Sequence, residues 1–284
     1  MAENAERIDA HHHLWRYTPE EYGWMGPEMG PGMHVLRRDY LPGDLEAAGK
    51  TAGVSGTVVV QARQSVAETE WLLALAEASP WLRGVVGWAP LASPEVGPLL
   101  KTLAGRRKLS GLRHVIQDEP DENFMRGEAF NAGLALLAEA GLVYDLLITE
   151  TQLPQASALV GRHPQQVFVL DHLAKPRIRE RVMQPWADEL RRLAEHKNVY
   201  CKLSGMVTEA DLEGWTAEDL APYLDQALEA FGAERLMAGS DWPVCLLASS
   251  YERWWSTLEQ WAARLGAEHR DLVMGGTAVR VYGL

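Results

Sequence analysis

Cysteine is nearly absent from this chain of 284 residues, which has only Cys201 and Cys245. Two are too few for a disulfide framework and lack the spacing of a zinc knuckle, so both read as reduced core thiols. Positive charge is scarce as well. The 27 lysines and arginines face 39 aspartates and glutamates, a net charge of -12, which repels phosphate backbones and anionic bilayers. Neither nucleic acid nor a membrane is therefore an expected partner. No stretch approaches the roughly 18 uninterrupted apolar residues of a membrane span. The opening residues, Met1 to Glu6, carry neither a basic n-region nor an apolar h-region, and a cytoplasmic location is the expectation. A Gly-x-Ser-x-Gly elbow is missing, as is a glycine-rich phosphate turn after the first strand, which argues against a serine hydrolase and a dinucleotide-binding fold.

What the chain does have is alternation. Short β-branched runs predict strands at 7–15, 56–63, 83–88, 109–116, 142–148, 167–172, 198–203 and 236–241. Segments of helical period follow them, at 40–52, 68–78, 94–103, 124–140, 154–162, 185–196 and 216–231, with a last long helix opening at Ser249. Thr216 to Asp219 and Ser249 to Glu252 have the capping-box pattern. Tyr251, Trp254, Trp255, Leu258, Trp261 and Leu265 recur at helical spacing and read as core. Eight strand-then-helix units without a linker predict a parallel sheet closed into a (β/α)8 barrel. One domain over 1–284 is expected, with 47% hydrophobic residues to fill it. The Gly/Pro/Met-rich stretch from Tyr17 to Met33 is too long for an ordinary connection and is a candidate lid or pocket wall.

Chemistry gathers first at Arg7-Ile8-Asp9-Ala10-His11-His12-His13-Leu14-Trp15. Strand alternation puts Asp9, His11 and His13 on one side and His12 on the other. Two neutral imidazoles so spaced converge on one divalent cation or one polarised carbonyl. No linker residues flank the three histidines, unlike a purification tag. A barrel presents its active face at the C-terminal strand ends, so His11, His13, Arg63, Trp88, Arg113, His114, Asp145, His172, Lys202 and Asp241 are expected to converge on one mouth. Arg63, Arg113 and Lys202 carry donors only, which suits them to carbonyl and hydroxyl oxygens of a substrate. The structural alternative pairs both arginines with Asp145 and Asp171 inside the barrel and makes Lys202 a counter-ion. Asp171, adjacent to His172, is expected to point the opposite way and orient a loop.

Five segments in order carry a resemblance: Asp9-Ala10-His11-His12-His13-Leu14-Trp15, Gly111-Leu112-Arg113-His114, Leu170-Asp171-His172-Leu173-Ala174-Lys175-Pro176, Cys201-Lys202-Leu203-Ser204-Gly205 and Gly239-Ser240-Asp241-Trp242-Pro243. They are similar to the amidohydrolase superfamily and, more narrowly, to its sugar-acid lactonase branch of the L-fuconolactonase and L-rhamnonolactonase type. The similarity runs nearly end to end. It implies a distorted (β/α)8 barrel, a small-molecule sugar lactone as partner, and a hydrolytic site built from His11, His13, His172 and Asp241. Many superfamily members hold two metals through a lysine or glutamate on strand four. This chain offers Arg113 and His114 there, then Tyr144 and Asp145 on strand five. A binuclear centre is therefore not expected. A single divalent ion, zinc by its donor set of His11, His13, His172 and Asp241, and a metal-independent reaction both stay open.

An unperturbed aspartate has a pKa of about 3.9, so Asp241 is ionised near neutrality and fitted to take a proton from water. The imidazoles, or an ion they hold, would polarise the attacked carbonyl. Trp15, Trp88 and Trp242 offer flat apolar faces to a sugar ring, and Arg63, Arg113, His114 and Lys202 offer polar contacts. Two other readings remain: a metal-dependent decarboxylase of the same superfamily, and a non-catalytic carbohydrate-acid binder. A homo-oligomer is compatible with all three.

Overall fold

The computed structural model describes residues 6–26 and 31–284. Its strands are β1 (Ile8–His12), β2 (Gly56–Val60), β3 (Leu82–Gly87), β4 (Leu109–Val115), β5 (Val143–Leu147), β6 (Phe168–Leu170), β7 (Val199–Leu203) and β8 (Leu236–Ala238). Each pairs in parallel with the next. The ring closes where His12 bridges Trp242, with His13 N donating to Trp242 O at 2.7 Å and Asp241 N to His11 O at 2.8 Å. The molecule is thus the single-domain (β/α)8 barrel that the alternation predicts.

Around the sheet run α1 (Pro42–Thr51), α2 (Val66–Ala78), α3 (Val96–Ala104), α4 (Glu128–Glu139), α5 (Leu153–Arg162), α6 (Trp186–Ala194), the short α7 (Met206–Glu209), α8 (Ala217–Phe231), α9 (Tyr251–Ala262), α10 (Ala267–Asp271) and α11 (Thr277–Tyr282). None is long and apolar enough to cross a membrane. Local chemistry sets their ends. Thr216 accepts from Asp219 N and Asp219 answers to Thr216 N, a complete capping box at α8. At α9 the cap is Ser250, accepting from Arg253 N, and with arginine at that position the box expected from Ser249 and Glu252 does not form. The helix expected over 124–140 is divided, because Gly127 separates a 3-10 turn at Phe124–Arg126 from α4.

Two apolar layers result. Inside the barrel, Ile8, Ala10, Val58, Val60, Val86, Val143, Val169 and Met237 meet, and α11 adds Ala278 and Tyr282. Each large side chain so buried contributes about 1.5–3 kcal/mol. Between sheet and helices lies the larger core, into which α9 sends Tyr251, Trp254, Trp255, Leu258 and Trp261, as the stripe predicts. Several strands stop earlier than their apolar runs suggest. β6 ends at Leu170 and β8 at Ala238, so His172 and Asp241 stand on the loops just beyond, where the backbone turns to positive φ.

Candidate active site

β1 contains an irregularity that decides which side chains see the barrel interior. Its pairing with β2 shifts register between Asp9 and His12, as at a bulge, where two successive residues occupy the place of one. Ala10 and His11 both turn inward. His12 turns outward, Nε2 3.0 Å from Thr57 Oγ1, and His13 returns to the interior. Asp9 therefore does not share the face of His11 and His13 as strict alternation would have it. Its carboxylate accepts from Ser240 N at 2.8 Å and from Tyr251 Oη of α9 at 3.2 Å. Burial pushes the Asp9 carboxyl up to about 6 against these bonds.

The floor of the site is a tight group of four. His11 Nε2 lies 3.2 Å from His13 Nε2. Asp241 Oδ1 lies 3.4 Å from His13 Nε2, 3.7 Å from His11 Nε2 and 4.0 Å from His172 Nε2. A carbonyl oxygen can only accept, so His13 Nδ1, 2.8 Å from Val60 O, carries its proton and leaves Nε2 with a lone pair. His172 Nδ1 is held by Ser204 Oγ at 2.9 Å. Burial lowers His11 well below the usual histidine range and His172 to about 4, so these imidazoles are neutral near pH 7. Burial alone would raise Asp241, but His172 and His13 outweigh it and hold the carboxyl below its ordinary value.

His11, His172 and Asp241 are placed to share one divalent ion, with His13 beside them. Tetrahedral bonds of about 2.0–2.2 Å put ligand atoms roughly 3.3–3.6 Å apart, and the four separations above, 3.2–4.0 Å, bracket that. His11, His172 and Asp241 each offer one atom within 4.8 Å of the others. Two glycines make the cluster possible. A Cβ on Gly205, at φ +64, would lie 2.5 Å from His172 Nδ1, and one on Gly239 would lie 2.9 Å from His11 Cβ.

The cluster opens into a cavity of about 750 Å³. Glu21, Trp24 and Met33 wall one side, and Arg63, Gln64, Arg113, Gln117, Asp118, Glu119, Lys175, Thr208 and Glu209 complete most of the rest. The described parts of the 17–33 stretch thus form a wall; residues 27–30 lie outside the described residues.

The amidohydrolase family pattern matches residues 8–284, nearly the whole chain. The chain belongs to the amidohydrolase family. Among its relatives, L-fucono-1,5-lactonase of Burkholderia multivorans is 44% identical over 99% of this chain and 97% of its own length. L-fucono-1,5-lactonase of Burkholderia ambifaria is 35% identical over 97% of this chain and 95% of its own. A crystal structure of an amidohydrolase from Burkholderia multivorans with bound zinc is 45% identical, covers 99% of this chain and 100% of that one, and superposes with a TM-score of 0.92.

Within this amidohydrolase barrel, other residues singled out in the sequence take different places. Beneath His11 runs a buried charge chain. Arg113 Nη1 donates to Asp171 Oδ2 at 2.9 Å, Lys202 Nζ reaches Asp171 Oδ1 at 3.0 Å and pairs with Asp145, and Tyr282 Oη donates to Asp145 at 2.9 Å. Asp171 Oδ1 and Lys202 Nζ also flank His11 Nδ1, at 3.3 and 3.2 Å. Burial would raise Asp171, yet Lys202, His11 and Arg113 hold it well below the usual carboxylate range. Asp171 does not orient an outer loop. The strand has already ended at Leu170, so alternation no longer governs its direction. Lys202 and Asp145 are wholly enclosed and do not reach the cavity, whereas Arg113 borders it. Arg63 does not pair with Asp145 or Asp171. It borders the cavity between Glu21 and Glu68.

The tryptophans are rearranged most. Trp15 is fully buried, its indole N–H donating to Leu36 O and Arg38 O, and Trp242 packs edge-on to Tyr40 at 4.9 Å. Neither faces the cavity. Trp88 donates to His114 Nδ1 at 3.1 Å, and His114 Nε2 then donates to Glu119 at 2.5 Å. That pair supports a cavity wall without lining it. The aromatic on the wall is Trp24, 37% exposed and edge-on to Trp15 at 5.8 Å. Sequence reasoning did not pick Trp24, Lys175, Glu119 or Glu209. Two had a signal: Lys175 its place in the His172 segment, and Trp24 its place in the 17–33 stretch expected to form a lid or wall.

Proposed function

We propose that this chain hydrolyses the ring ester of a sugar-acid lactone of the L-fucono-1,5-lactone kind, the substrate in the name of its 44%-identical relative. The observation that carries this reading is the buried Asp241 carboxylate, ionised and within 3.4–4.0 Å of three imidazole nitrogens at the floor of an open cavity. Asp241 takes a proton from water as the water oxygen bonds to the lactone carbonyl carbon. When the ring C–O bond breaks, that proton returns to the departing ring oxygen, giving one hydroxyl and one carboxyl group. His11, His13 and His172 position the water and the carbonyl oxygen. Zinc, where bound by His11, His13, His172 and Asp241, supplies Lewis-acid polarisation of the carbonyl.

The cavity charge favours a neutral substrate. Glu21, Asp118, Glu119, Glu209 and Asp241 face Arg63, Arg113 and Lys175, and both arginines are already ion-paired. An aromatic acid awaiting decarboxylation would approach this acidic wall against repulsion. Polar side chains on the rim suit the hydroxyls of a polyol ring, and Trp24 suits its C–H face. The test is a pH-stat screen of fucono-, rhamnono-, galactono- and xylonolactone, with and without chelator. Acid release from at least one is expected, and no release above the buffer rate from any of the four would refute the reading.

A further inference from the structure

We propose that Lys175 supplies the positive charge that meets the oxyanion formed on the substrate carbonyl, delivered by a left-handed turn that sets it on the same face as His172. The inference rests on the lactonase reading above and adds a residue to it. Four successive residues, His172, Leu173, Ala174 and Lys175, have φ of 54, 53, 58 and 52. Outside glycine this conformation costs about 1 kcal/mol or more per residue. Among the described residues, the other non-glycine cases, Arg181 and Asp241, stand singly. Strain of this extent persists where neighbouring packing enforces it and a site uses it.

The geometry of the turn identifies its use. Residues three apart in a 3-10 turn eclipse one another, and Lys175 N donates to His172 O at 2.8 Å to close it. His172 and Lys175 both border the cavity. The two residues between them are fully buried, and Leu173 O accepts from the Trp186 indole at 2.7 Å.

Charge singles out Lys175 among the three cavity cations. Arg63 is neutralised by Glu21 and Glu68, and Arg113 by Asp171 with a further bond to Gln61 O. Lys175 makes no ion pair among the described residues; it acts electrostatically on His172, Asp241 and Glu209. Negative charge appears on the carbonyl oxygen as water adds, and an ammonium without an ion-pair partner gains most from it.

The test uses Lys175→Met and Lys175→Arg in the full chain, with three probes: L-fucono-1,5-lactone, a six-membered cyclic phosphonate bearing the same hydroxyls, and the neutral lactam. Lys175→Met is expected to lower kcat about 10²- to 10³-fold with KM changed less than about threefold. It should weaken phosphonate binding, measured by calorimetry, by a similar factor and leave lactam binding unaltered. Lys175→Arg should recover part of both losses. A merely structural lysine would shift lactam and phosphonate together. Phosphonate bound equally by wild type and Lys175→Met, or not bound by wild type, overturns the inference, as does unchanged turnover in Lys175→Met. A wild-type protein that opens no lactone yet shows the phosphonate difference refutes the lactonase reading while upholding the assignment of Lys175.

Discussion

Replacing Asp241 with asparagine removes the proton-accepting site and the negative charge of the carboxylate while keeping the side chain's shape. The residue sits at φ 56, a left-handed conformation that asparagine tolerates better than other side chains, so the loop should keep its course. Its shape and hydrogen-bonding reach toward the imidazoles at 3.4–4.0 Å are retained, but the amide cannot take a proton from water. Loss of a positioned general base costs about 10²- to 10⁴-fold, equivalent to roughly 3–5 kcal/mol of transition-state stabilisation. In a pH-stat assay on an aldonolactone, kcat should fall by that factor while KM stays within a few-fold. His12→Ala is the internal comparison on the same strand. His12 faces away from the cavity and bonds Thr57, so its loss should cost about 1–3 kcal/mol of stability through the unpaired hydroxyl and spare turnover per folded molecule. An Asp241→Asn protein as fast as wild type would refute the assignment and move the base to another group.

Elemental analysis is expected to find no more than one stoichiometric divalent ion per chain, because Arg113 and Lys202 occupy the ground beside His11 that a second ion would need; two per chain would contradict this. Gly205→Ala should lower turnover at least tenfold and stability by about 1 kcal/mol or more, since the added methyl meets His172 at 2.5 Å on a positive-φ backbone; steady-state kinetics and urea unfolding check both. Asp145→Asn leaves Lys202 short of a carboxylate in a fully buried site and should cost about 3–5 kcal/mol in urea unfolding. A loss below 1 kcal/mol would show that Asp171 alone suffices.

Much of this protein is determined locally and can be read without coordinates. Periods of two and 3.6 follow from backbone geometry, so the eight alternating units and the core stripe of α9 are legible in the chain itself. The same holds for His11 and His13, two residues apart on one strand, and for polar groups at strand ends that a barrel brings to one mouth. What lies beyond local geometry was decided by tertiary structure. Asp9 changed face because a one-residue shift in pairing with β2 inverted the alternation, and pairing involves residues some 48 positions away. Asp171 left its expected direction because β6 gives way to a left-handed turn that packing against Trp186 helps hold. Trp15 and Trp242 are as apolar as Trp24, and only the closure of the barrel and the Tyr40 contact buried the first two and left the third on the cavity wall. Lys202 became a counter-ion because Asp145 in the middle of β5 and Asp171 just beyond β6 arrived beside it. Periodicity records which side of an element is apolar. Which polar group a side chain finally faces is set by the partners that folding brings next to it.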